Sequence, residues 1–163
     1  MNRKEDFIQH IINGYLSKGE SLILGGAMLD GEAIAETQVK VPLKTLNRHG
    51  LIAGATGTGK TKTIQVLSEQ LSSFGIPVLM MDIKGDFSGI AAIGEEKSFI
   101  TERHAKIGIP YQVSNFPVEL LTLSQQNGIR LRATVSEFGP VLFSRILDLN
   151  DTQSGVISVI FKY

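Results

Sequence analysis

Apolar positions along this chain change period several times, and each change predicts an element. Phe7, Ile8, Ile11, Ile12, Tyr15 and Leu16 form pairs four residues apart. They predict a short helix with one apolar stripe, limited by Gly14 and Gly19. Between residues 21 and 46 the pattern becomes that of strands. Leu22, Ile23 and Leu24 form an apolar run, Asp30-Gly31 is a hairpin signal, and Ile34, Val39, Val41 and Leu43 supply the return strand. Pro42 marks an edge or irregular position there. Leu51, Ile52 and Ala53 are a second short run, followed by a glycine-rich turn. Beyond it Ile64, Leu67, Leu71 and Phe74 recur at helical spacing, until Gly75 stops the helix and Pro77 prevents its resumption. Val78, Leu79, Met80 and Met81 read as a buried, parallel-type strand.

The second half is more polar. Residues 95–107 predict a helix with a thin apolar face of Phe99, Ile100 and Ile107, and a solvated His104. Residues 118–123 and 129–135 flank Asn127-Gly128 and predict an antiparallel hairpin. On its second strand Ile129, Leu131, Ala133 and Val135 alternate with Arg130, Arg132 and Thr134, so one face is apolar and the other cationic. That cationic face is either a phosphate-contacting ribbon or a solvated outer surface. Gly139-Pro140 suits a helix start, with Val141, Leu142, Ile146 and Leu147 as core candidates. Asn150, Asp151 and Thr152 offer caps for a last helix carrying Val156, Ile157, Val159 and Ile160. That helix meets Tyr163 without a stop signal, so the chain is expected to be part of something longer.

Composition narrows the class. A chain of 163 residues, 42% hydrophobic and 20% charged, is long enough for one domain with a real core. It has no apolar run long enough for a membrane span and no secretory signal, so no membrane partner is expected and a cytoplasmic location is. Cysteine is absent, which excludes disulfides, zinc fingers and thiol chemistry. The 16 basic and 16 acidic residues balance. That balance weakens a nucleic-acid role without removing it, because a motor that grips DNA through a few loops needs no basic excess.

Candidate chemistry lies in residues 54–61, Gly54-Ala55-Thr56-Gly57-Thr58-Gly59-Lys60-Thr61, which match G-x-x-x-x-G-K-[ST] at every fixed position. Glycines let such a loop curl so that successive backbone N–H groups form an anion nest. Lys60 can set an ammonium between the outer phosphates of a nucleotide, and the Thr61 hydroxyl can hold one position on Mg²⁺. The helix behind the loop adds unpaired N–H groups and a positive dipole end. By chance alone the fixed positions match in roughly one such sequence in a few hundred, and the flanking apolar run and helix make accident rarer. The expected fold is therefore α/β, a three-layer αβα P-loop NTPase with a mainly parallel sheet. A small N-terminal β element and an inserted antiparallel hairpin accompany it, with residues 1–46 as the N-terminal element and 47–163 as the NTPase domain.

Asp82 ends the strand predicted over 78–81, and Asp86 lies four residues on, in a turn-like stretch. Acids at the carboxyl end of such a strand face the ligand edge of a parallel sheet. They can hold Mg²⁺ through water or orient an attacking water. Otherwise Asp82 caps the turn and Asp86 is a solvated loop residue.

Together these residues resemble a known family. Asn47, Arg48, His49, Gly50 and the run into ATGTGKT look like the first strand and loop of HerA and FtsK type ATPases. Met81-Asp82-Ile83-Lys84-Gly85-Asp86-Phe87-Ser88-Gly89, Thr134-Val135-Ser136-Glu137-Phe138-Gly139-Pro140 and Leu147-Asp148-Leu149-Asn150-Asp151-Thr152-Gln153 resemble motifs of bacterial HerA-like proteins. The resemblance runs from about residue 43 onward. It implies an additional-strand P-loop ATPase that assembles as a hexameric ring, with ATP and Mg²⁺ as cofactors and DNA translocation as the work of related motors. It implies Gly54, Ala55, Thr56, Gly57, Thr58, Gly59, Lys60, Thr61 and Lys62 as nucleotide contacts. Lys60, Asp82 and Asp86 would be catalytic, and Thr61 and Asp82 would hold the metal.

The family also places a second apolar strand ending in Asp-Glu downstream. Val135, Ser136 and Glu137 are too short for it, and residues 156–161 carry no acid. The chain is thus expected to be an amino-terminal part that binds nucleotide weakly and turns over little. Three functions stay open: an ATP-driven nucleic-acid motor, a nucleotide-binding switch or assembly module, and a small-molecule phosphotransferase. The last would need arginines in a lid, of which Arg130 and Arg132 are the only hint.

Overall fold

The structure is a computed structural model and describes residues 2–162. It divides into two compact units, Met1–Val118 and Glu119–Tyr163.

In the first unit, helix α1 (Arg3–Gly14) starts from a capping box: Asn2 accepts from the Lys4 amide and Glu5 accepts from the Asn2 amide. Strands β1 (Ser21–Leu29) and β2 (Glu32–Pro42) pair antiparallel around Asp30 and Gly31. Both turn residues have positive φ, 51° and 84°, as a type I′ turn demands. The ladder slips between Ile23 and Gly25 and again between Gly26 and Met28. At the second slip the Ala27 amide has lost its ladder partner, and the buried Thr37 hydroxyl accepts from it at 3.2 Å while donating to the Ile34 carbonyl at 2.7 Å. Leu22 and Ile34 fill the core beside this threonine; each apolar side chain so buried contributes about 2 kcal/mol.

Helix α1 packs on β2, and α3 (Ser98–Ile107) packs on both strands. Close approach explains two glycines there. A side chain at Gly26 would press on Ile107, and one at Gly108, which ends α3 at φ +65°, would collide with the Ala35 carbonyl. His104 of α3 is half-buried, its Nδ1 lying 3.1 Å from the Ile109 carbonyl oxygen and its ring against Tyr111. It is not the solvated residue its charged neighbours suggested. Helix α2 (Lys60–Ser73) packs on β1.

The expected parallel sheet is absent among the described residues, where the two sheets present are two-stranded. Neither residues 51–53 nor 78–81 join a ladder. Leu51, Leu79 and Met81 are 83–91% exposed. An apolar run signals a segment that gains from burial, but strand formation also requires a neighbour to take its backbone groups.

In the second unit, β3 (Leu121–Thr122) and β4 (Ile129–Arg130) pair parallel, which corrects the antiparallel hairpin predicted around Asn127-Gly128. A type I′ turn needs positive φ at both central residues, and Asn127 keeps a negative one. The chain curls earlier: the Ser124 amide donates to Thr122 Oγ1 and the Gln126 amide to Ser124 Oγ. Gly128 then passes so close to the Leu120 carbonyl that a Cβ would sit 2.7 Å from its oxygen. The amides of Ile129 and Leu131 reach the carbonyls of Leu120 and Thr122 in the slanted parallel pattern.

The strand predicted as far as Val135 ends at Arg130, and Thr134 caps a helix instead. Helix α4 (Val135–Ile146) opens with a Thr134–Glu137 capping box, before the start predicted at Gly139-Pro140. Gly139, at φ 66° and ψ 169°, interrupts it, and Pro140 opens the second stretch, where its missing N–H costs nothing. Helix α5 (Asp151–Ile160) starts from an Asn150–Gln153 box and packs on α4, with Phe143 and Phe161 in tilted contact.

Candidate functional site

The glycine-rich turn and helix α2 form one unit. Gly57 and Gly59 have φ of 82° and 94°, and Gly59 occupies the N-cap of α2 in that left-handed conformation. Helices α1, α4 and α5 each close their first turn with their own side chains, whereas α2, like α3, has no side-chain cap. Its leading amides stay open to an outside acceptor. Thr58 donates from amide and hydroxyl to the Ala55 carbonyl, and that hydroxyl leaves no room for a Cβ on Gly54. Lys60 reaches back over the turn, its Nζ 2.7 Å from the same carbonyl. Thr63 ties its hydroxyl to the Gly59 carbonyl; among the described residues Thr61 makes no comparable bond. Lys62 is exposed on the helix surface. Ala55 and Thr56 are exposed as well and offer backbone rather than side-chain chemistry.

The second loop, residues 82–87, is wound around an anion of its own. Asp82 Oδ1 accepts from the amides of Gly85, Asp86 and Lys84 at 2.8, 3.1 and 3.3 Å, and Oδ2 accepts from Phe87 at 2.9 Å. These bonds, that of Phe87 foremost, hold the Asp82 carboxyl below the usual carboxylate range. A carboxylate has about four acceptor positions, so Oδ2 keeps space for one more partner. Asp86 uses only its backbone here, and its side chain is exposed.

Both loops meet helix α2 within the first unit. Gln65 Nε2 donates to the Asp86 carbonyl at 2.9 Å, and the Ser68 hydroxyl lies 3.2 Å from the Met80 sulfur. Gln70 brackets Ile23 of β1, accepting its N–H at 2.7 Å and donating to its carbonyl at 2.8 Å. Sequence periodicity missed these residues. It turned Ile64, Leu67, Leu71 and Phe74 inward, yet Gln65 and Ser68 are the buried residues of α2 and Phe74 is 40% exposed. The one signal was two polar residues three apart beside that face. Glu69 on the same helix has its carboxyl pushed up by burial, partly opposed by Lys62.

Arg130 and Arg132 are exposed in the second unit. The first unit therefore offers backbone amides and one ammonium on the phosphate-type loop, with a free hydroxyl at Thr61 and carboxylates at Asp82 and Asp86. A polyphosphate with a divalent cation fits that donor set, since the left-handed glycines and uncapped helix supply positive groups and the oxygens suit a hard cation.

Helices beside two small sheets make this an α/β chain. The chain belongs to the HerA family: the Helicase HerA-like C-terminal family matches residues 28–163. It is similar to the DNA double-strand break repair helicase HerA of Sulfolobus acidocaldarius, 38% identical over 53 residues, or 32% of this chain and 11% of the relative. The HerA of Saccharolobus solfataricus is 40% identical over 50 residues, 31% of this chain and 10% of that protein. The DNA import protein CedB of S. acidocaldarius is 29% identical over 106 residues, 64% of this chain and 18% of its own length. The chain thus spans between a tenth and a fifth of these relatives. No solved structure matches it. Among the described residues, no helix is long and apolar enough to cross a membrane.

Proposed function

We propose that residues 54–62 bind the phosphates of ATP, and that the intact protein hydrolyses ATP with Mg²⁺ as a HerA-like ATPase acting on DNA. One observation carries the reading: Gly57 and Gly59 curl a turn into a helix that supplies no cap of its own, with Lys60 folded over it. The similarity to HerA, a DNA double-strand break repair helicase, and to CedB, a DNA import protein, supports the choice of substrate polymer.

In this reading the amides of Gly57, Gly59, Lys60 and Thr61 hold the phosphate oxygens, the Thr58 amide being engaged by the Ala55 carbonyl. Lys60 exchanges its contact with the Ala55 carbonyl for the outer phosphates, a charge-assisted bond replacing a weaker one. Thr61 would hold the metal through its hydroxyl and Asp82 through its carboxylate, and magnesium there would neutralise phosphate charge. Asp86 orients water, and Asp82 keeps the loop beneath it in shape. Residues 47–163 belong to the nucleotide domain, whose three-layer αβα fold and hexameric ring form in the full-length protein.

A second reading, a nucleotide-dependent switch or assembly module with little turnover, is favoured by Asp82. Four backbone amides already engage its carboxylate, as a structural residue requires. Titration with ATP and Mg²⁺, followed at the amide signals of residues 57–61, tests the shared binding step. Saturable shifts are expected, with affinity falling on the order of 100-fold in Lys60→Ala, about 2–3 kcal/mol for a lost bond to a charged group. Unmoved signals would end both readings. DNA-stimulated hydrolysis by the full-length protein then selects the motor, and nucleotide-dependent association without turnover the switch.

A further inference from the structure

The loop 82–87 is closed on itself by Asp82, so its shape is set locally. Its placement is a separate matter. Ser88 and Ile90, which bond to the Gly85 and Phe87 carbonyls, belong to the same stretch of chain, and the buried Ile90, whose carbonyl accepts from the Phe116 amide at 3.1 Å, anchors that stretch beyond the loop itself. Among the described residues, the hydrogen bond that reaches this loop from another element comes from Gln65, on the helix that the phosphate-type turn opens. Gln65 is 7% exposed. Burying a primary amide costs free energy that a leucine or methionine of similar volume would avoid, unless its bond has a use.

We propose that Gln65 is a positioning residue that holds the acidic loop in register with the phosphate loop. Nucleotide seating at residues 57–61 is thereby felt at residues 84–87. The inference rests on the nucleotide reading above. Its geometry is short: Lys60 and Gln65 are five residues apart on one helix, and Gln65 grips the peptide carbonyl of Asp86 itself. A rigid helix with one end at the phosphates and a buried amide at the second loop carries a displacement without intermediate links.

Gln70 provides an internal control. It sits on the same helix and also holds backbone, but at Ile23 of β1, away from the acidic loop. The experiment measures amide exchange across the whole chain with and without saturating Mg-ATP, in wild type, Gln65→Met and Gln70→Leu. In wild type, nucleotide is expected to slow exchange at Gly85, Asp86 and Phe87 by about fivefold or more. In Gln65→Met that slowing disappears, while Mg-ATP affinity changes less than about threefold. In Gln70→Leu the chain loses stability but the nucleotide-dependent protection of the acidic loop persists.

Equal protection in Gln65→Met and wild type overturns the proposal. Should Gln65→Met fail to fold, the wild-type measurement decides: shifted amides at residues 57–61 with no change at 84–87 overturn it and leave the nucleotide reading standing. Silence at both loops overturns the nucleotide reading, and this inference with it.

Discussion

The two loops that meet helix α2 solve the same electrostatic problem in opposite ways. Around residues 54–61, left-handed glycines and an uncapped helix leave backbone amides without an internal acceptor. Around residues 82–87, four amides converge on a carboxylate that the chain supplies itself. The first loop stays open to an outside anion; the second is finished. An acid on a loop that meets the same helix as a glycine-rich turn is therefore not by that fact a ligand of the same site. Asp82 shapes a loop before it does anything else, and the carboxylate left to face outward is that of Asp86.

The contrast can be broken by removing the built-in anion. Asp82→Asn is expected to speed amide exchange at Lys84, Gly85, Asp86 and Phe87 by tenfold or more, roughly, while leaving exchange at residues 57–61 within about twofold. Equal loosening of both loops would abolish the distinction. Acid does the same reversibly. The folded-state pKa of Asp82 lies below its unfolded value, so its contribution is complete above the usual carboxylate range. It is lost as pH falls through the lowered folded value, and carboxylate chemical shifts recorded beside the Phe87 amide check that order.

A smaller effect is expected at the open loop. Gly59→Ala places a Cβ on a residue at φ 94°, costing about 1–2 kcal/mol, and a urea midpoint measures it. Because nothing lies within 4 Å of that Cβ, the penalty comes from the backbone and not from collision. The smallest contrast lies between a self-capped helix and α2. Thr134→Ala removes an N-cap and should cost about 1 kcal/mol, read as a lowered melting temperature that nucleotide does not restore. Nucleotide should raise the melting temperature of the wild-type chain through α2, whose glycine-led N-terminus carries no side-chain cap.

Two turn dipeptides show where the sequence is legible. Asp30-Gly31 and Asn127-Gly128 carry the same hairpin signal. The first sits between strands long enough to enforce the turn, with Leu22 and Ile34 buried behind it, and both residues adopt positive φ. The second follows Thr122 and Ser124, whose hydroxyls capture nearby amides and bend the chain before Asn127 is reached. Side-chain competition for backbone groups overrode the dipeptide. At α2 the element was plain from its period, but its buried polar residues were not, because Gln65 and Gln70 bond to backbone 21 and 47 positions away.

What residue order alone determined here is whatever closes within a few positions: the Asp30-Gly31 turn, the Asn150 cap and the glycine turn before α2. Tertiary structure decided the partners of distant groups. It left residues 51–53 and 78–81 without a ladder and turned Gln65 toward the Asp86 carbonyl. A cap or tight turn is satisfied by atoms its own neighbours carry. A strand edge or a buried amide is satisfied by atoms whose position no local pattern encodes.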